Sequence, residues 1–253
     1  MCFVIIILLR FIWRDSYDRS RKKTDIRKVK NNFFRERVAK KHKENTEKLT
    51  SLEKFNINPF THKYLANFAF GDSSSINMAK ALVYPRVLGT SISTTFGTQL
   101  QYFCNEVLDS FASTTSGIDI EFVDAIDGRR KYCQVKAGPT TINHDDVTTI
   151  CNHFNAIKNL ARTNGMVEFN PLFDCIVGVF YGTPNSLGQH YKDIMKQYPV
   201  ICGKEFWHRL TGDEDFYSEL VNAFAEVADE INCSESVQKV IESLAKEIEK
   251  KNG

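Results

Sequence analysis

Two short alternating runs, GIDIEFVDAI at 117–126 and KYCQVKAG at 131–138, flank the tetrapeptide DGRR. Asp-Gly between two such runs predicts a β-hairpin, because these residues tolerate the left-handed backbone of a tight turn. A strand alternates its side chains between faces, so polar and apolar positions sort themselves. With Asp127 and Gly128 at the tip of a two-residue turn, Ile126 faces Arg129. Asp119 then falls opposite Lys136, and Glu121 opposite Gln134. Asp119, Glu121, Gln134 and Lys136 share one face; Ile118, Ile120, Phe122, Cys133 and Val135 point to the other. A one-residue slip in one strand would turn its polar pair away. The pattern by itself also suits a solvated hairpin face with cross-strand ion pairs.

The surrounding chain supplies helices and further strands. Serines 73–75 can cap a helix from near Ile76, which Pro85 and Gly89 end or kink. Leu100, Phe103, Cys104, Val107, Leu108 and Phe111 recur at helical spacing, predicting an amphipathic helix over 97–112. Residues 143–164, 213–231 and 234–250 read as helices. LFDCIVGVFYG (172–182) is a continuous apolar run that suits a buried central strand, and YPVICG (198–203) is another strand before a short helix, KEFWHRLTG. The expected fold class is mixed α/β: a mixed central sheet flanked by helices, plus an N-terminal helical region.

With 42% hydrophobic residues and 19 Phe, the 253-residue chain can bury a sizeable core. Residues 1–54 carry 16 Lys and Arg against 7 Asp and Glu. That excess suits either a polyanionic partner or a solvated charged helix. INPF at 57–60 breaks the helical pattern, so the expected units are a basic arm over 1–56 and a body over 57–253. The apolar start, residues 2–13, is too short for a membrane span and is interrupted by Arg10; a membrane location is not expected. Seven scattered cysteines without CxxC or zinc spacing predict reduced, mostly buried thiols and a cytoplasmic protein.

D-x-E followed by QVKAGPTTIN resembles the core of the PD-(D/E)xK nuclease superfamily, with Ile118 in place of the proline and Gln134 in the D/E position. INPF (57–60), PRVLGT (85–90), VKAGPTTIN (135–143), VGVFYG (177–182) and GKEFW (203–207) extend the resemblance to PmeII-like type II restriction endonucleases. The resemblance implies a restriction-endonuclease-like core and Mg²⁺-dependent cleavage of double-stranded DNA. The target would be a palindromic site of GG…CC type, and the products would carry 5′-phosphates. Asp119, Gln134 and Lys136 would be catalytic. The metal would be held by Asp119, the main-chain carbonyl of Val135, Gln134, and Glu121 or Glu106. Gln101 stands near the position where a helix-borne acid is expected. A palindromic target implies a homodimer, and a restriction system implies a cognate DNA methyltransferase.

The amide at 134 leaves alternatives: a catalytically silent DNA-binding protein, or a repair or structure-specific nuclease of the same superfamily. DNA-contact candidates are Thr140, Thr141, Asn143 and His144, with Lys204 and Arg209 in a second patch. Asn143 suits a helix cap equally well, and Trp207 suits the core.

Overall fold

The apolar run predicted to be a buried strand contains an interior strand of the sheet, Cys175–Val179, flanked by a strand on each side. The computed structural model of the chain describes residues 32–107, 111–113, 115–166 and 168–252. Its five strands are β1 (Phe111–Ala112), β2 (Ile120–Val123), β3 (Arg130–Lys136), β4 (Cys175–Val179) and β5 (Val200–Cys202), in that spatial order. The β1–β2 and β2–β3 pairs are antiparallel, whereas β3–β4 and β4–β5 are parallel. The sheet is therefore mixed, as predicted. β4 is buried along its whole length, which explains its unbroken apolarity.

Ten helices follow the chain: α1 (Lys40–Glu47), α2 (His62–Phe70), α3 (Ser75–Pro85), α4 (Ile92–Val107), α5 (His144–Thr163), α6 (Pro171–Asp174), α7 (Gln189–Met195), α8 (Lys204–Thr211), α9 (Phe216–Glu230) and α10 (Ser234–Asn252), counted among the described residues. Alternation along the strands builds two cores. Tyr132, Cys175, Val177 and Val179 meet Ile150, Phe154 and Ile157 of α5 and Tyr191 and Ile194 of α7. Ile120, Phe122, Cys133, Val135 and Ile176 meet α4, α8 and α9 through Leu100, Phe103, Trp207 and Phe216. Ile118 departs from its expected face. It lies before β2 begins, where alternation no longer applies, and joins the α5-side core.

The α-helix α3 ends at Pro85, as expected, but the chain stays helical: a π-helical turn, Arg86–Ser91, which contains Gly89, carries α3 into α4. The N-terminal region also differs from a free-standing arm. Phe33 and Val38 belong to the α4-side core, and Leu49 and Leu52 pack with α3 and α10 in a third cluster. The apolar stretch 2–13 and the remainder of 1–31 lie outside the described residues. Among those described, no helix is long and apolar enough to cross a membrane.

The hairpin forms, but its register is shifted by two residues from the two-residue turn. Ile120 pairs with Cys133, Glu121 with Tyr132 and Val123 with Arg130. A type I′ turn needs positive φ at both central residues; here Asp127 has none, and only Gly128 does, at φ +69°. The loop is therefore longer. Asp124 accepts from the Ile126 and Gly128 amides through its side chain and main chain respectively, and Asp127 accepts from the Arg129 amide. A two-residue shift preserves the parity of the faces, so Glu121, Gln134 and Lys136 keep one face; Asp119 lies before β2, and its carboxylate reaches Gln101 of α4 and the Val135 N–H.

Candidate active site

Asp119 sits just before β2, tied to β3 by its own N–H, which donates to the Cys133 carbonyl at 3.1 Å. Its carboxylate accepts from the Val135 N–H at 2.8 Å and from the Gln101 side-chain amide of α4 at 3.2 Å. Burial pushes the Asp119 carboxyl above its ordinary value. The Val135 N–H, the Lys136 charge, Gln101 and His153 act against that shift. The result is a carboxylate held in place and only partly compensated.

Val135 connects this carboxylate to the backbone. A strand residue directs its N–H and C=O to the same edge. The Val135 N–H is spent on Asp119 beyond the end of β2, so the Val135 carbonyl emerges on that edge too. Lys136 directs its own carbonyl the opposite way, to the Phe180 N–H of the β4 side at 3.1 Å. Its side chain shares the face of Gln134 and is partly buried.

Gln134 is buried, at 5% exposure. Its amide nitrogen faces the Gly117 carbonyl and stands 2.7 Å from Nδ1 of His153. A carbonyl only accepts, so the nitrogen, and not the oxygen, must face Gly117. His153 comes from α5, on the inward stripe with Ile150, Phe154 and Ile157. Among the described residues no cluster of three or more His, Cys, Asp or Glu forms a ready-made metal cage.

The sequence matches the family described as type II restriction endonuclease EcoO109I over residues 25–232, most of the chain. The chain belongs to this family of type II restriction endonucleases. No match is found among curated proteins. The matched span contains the whole sheet and every residue of the Asp119 cluster.

Other candidate positions of this restriction-endonuclease chain are spread more widely. Glu121 is buried beside Tyr132, two residues from its expected partner Gln134. Its carboxylate accepts from Ser113 at 2.5 Å and pairs with Arg130 at 2.6 Å. Glu106 lies outside the described side chains. Asn143 caps α5 in a reciprocal box with Asp146. The Thr141 hydroxyl donates to the Gly138 carbonyl at 2.9 Å, while Thr140 and His144 are exposed. Lys204 is exposed at the start of α8, but Arg209 is not free for DNA: it pairs with Asp124 at 2.8 Å and Glu205 at 2.7 Å. Trp207 is core, donating its indole N–H to the Phe180 carbonyl at 2.8 Å. His153 is the site residue that strand periodicity missed. Its signal was a polar side chain inside an otherwise apolar helical stripe.

Proposed function

We propose that the protein is a Mg²⁺-dependent type II restriction endonuclease that hydrolyses phosphodiester bonds in double-stranded DNA at a palindromic GG…CC-type site, leaving 5′-phosphates. The observation that carries this reading is the Asp119 carboxylate fixed by the Val135 N–H, beside the off-ladder Val135 carbonyl and Lys136. The family match supplies the substrate class.

The donor set fits a hard divalent cation, which prefers oxygen ligands and tolerates several waters. Asp119 and the Val135 carbonyl would hold it, with the Gln134 amide oxygen as the third protein donor. Glu121, engaged by Ser113 and Arg130, drops out of this set. Such a cation polarises a phosphate oxygen and acidifies bound water. The chain's own residues do the rest. Lys136 places a positive charge where negative charge develops on the phosphate, and its ammonium hydrogens orient the attacking water. Asp119 is kept from rotating by two hydrogen bonds, so its oxygens stay aimed as the reaction proceeds. Thr140, His144 and Lys204 are the exposed candidates for DNA contact, and a twofold homodimer matches a palindromic duplex.

Digestion of mixed-sequence DNA with Mg²⁺, followed by sequencing of the ends, tests this. Discrete fragments sharing one GG…CC-type site with 5′-phosphates are expected; salt-sensitive binding without cutting in Mg²⁺ or Mn²⁺ would instead identify a catalytically silent binder. Cutting confined to branched DNA would point to a structure-specific nuclease.

A further inference from the structure

We propose that position 134 is built for an amide, with His153 as the positioning residue that leaves the Gln134 oxygen for the cation; the inference rests on the metal-dependent reading above. The Gln134 amide nitrogen has two hydrogens and two acceptors, the Gly117 carbonyl and His153 Nδ1. Both hydrogens are used, so the oxygen is the amide's remaining group. His153 then carries its ring proton on Nε2, because Nδ1 accepts.

The two acceptors are themselves fixed. Gly117 holds φ at +80°, and a Cβ there would lie 2.3 Å from the His153 ring. Backbone and imidazole are thus in packing contact beside the amide. A carboxylate at 134 would have no hydrogen to offer Gly117, leaving two oxygens opposed at a buried position. The imidazole could move its proton to Nδ1 to meet an acid; the Gly117 carbonyl has no such option. Gln134 is therefore matched to its surroundings, and is not the remnant of a lost carboxylate.

Three full-length variants test this: His153→Leu, which removes the acceptor; His153→Gln, which keeps one; and Gln134→Glu. Each is titrated calorimetrically with MgCl₂ alone, melted without metal, and assayed for cleavage across Mg²⁺ concentrations. His153→Leu should bind Mg²⁺ roughly 10-fold more weakly or worse, the usual cost of losing a residue that orients a ligand. Its half-maximal Mg²⁺ for cleavage should rise in parallel. His153→Gln should recover most of that loss. Gln134→Glu should melt lower than wild type and bind Mg²⁺ no more tightly.

A His153→Leu protein with a lowered melting temperature but unchanged Mg²⁺ affinity would mark His153 as merely structural and overturn the proposal. So would a Gln134→Glu protein that binds Mg²⁺ more tightly and cuts faster. If His153→Leu does not fold, His153→Gln and Gln134→Glu decide by the same criteria. A wild-type chain that neither binds Mg²⁺ nor cuts DNA overturns the metal-dependent reading itself, a separate outcome.

Discussion

Asp119 combines two demands that conflict in the metal-free protein. In the proposed role it must be charged to hold a cation, yet burial raises its carboxyl above the ordinary value. The folded state then binds this proton more tightly than the unfolded chain does. Its contribution to stability is fully present below the ordinary carboxylate value and is lost as pH rises through the raised one. Asp119→Asn keeps the shape and removes the charge. Melted without metal, it should equal or exceed the wild type at neutral pH, and the gap should close as pH falls below the carboxylate range. Mg²⁺ should raise the wild-type melting temperature and leave that of Asp119→Asn unmoved. Gln101 matters differently, as one of two donors that fix the carboxylate.

The β2–β3 hairpin shows how much of this site was legible. Alternation placed Asp119, Glu121, Gln134 and Lys136 on one face, and the shifted register preserves that parity for Glu121, Gln134 and Lys136. It could not set the distance of Glu121 from the rest, because loop length is decided by contacts far along the chain. Lys131 is buried at 2% exposure and pairs with Asp127 at 2.5 Å and Asp124 at 3.7 Å. Arg209, 85 residues on, meets the fully buried Asp124. Arg129 forms a two-pronged pair with Asp174. None of these partners follows from strand periodicity. Asp124→Ala would strand Lys131 and Arg209 with reduced compensation, a loss of roughly 3–5 kcal/mol; urea unfolding should show it as a lower midpoint. Gly117→Ala combines the left-handed backbone with the His153 clash. It should cost about 1–3 kcal/mol in backbone strain alone and reduce Mg²⁺-dependent cutting, both measured on the purified variant.

At the scale of the molecule, most helices were readable because each keeps one period over many residues, and β4 because its apolar run is unbroken; the helix expected over 97–112 instead stops at Val107, and Phe111–Ala112 form β1. In the described part of the N-terminal region, Phe33, Val38, Leu49 and Leu52 are buried against the body, contacts too sparse in the sequence to stand out from its basic residues. Exposed apolar residues bear on assembly. Phe60, Tyr64 and Phe68 are 92%, 60% and 75% exposed, beside a hollow between α2 and α3 lined by Phe55, His62, Leu65 and Leu82. On the proposed homodimer reading, these rings and this hollow together would form the self-complementary patch that a twofold contact pairs with its own copy. Phe60→Glu with Phe68→Glu should convert a sedimenting dimer to monomer; an unchanged dimer would place the interface elsewhere. The central claim, however, is the chemistry of one strand end, and single-turnover cleavage of DNA with Mg²⁺ measures it most directly. Asp119→Asn and Lys136→Met should each slow cutting at least ~10²-fold while still binding DNA. Wild-type cutting rates in either variant would contradict the assigned site.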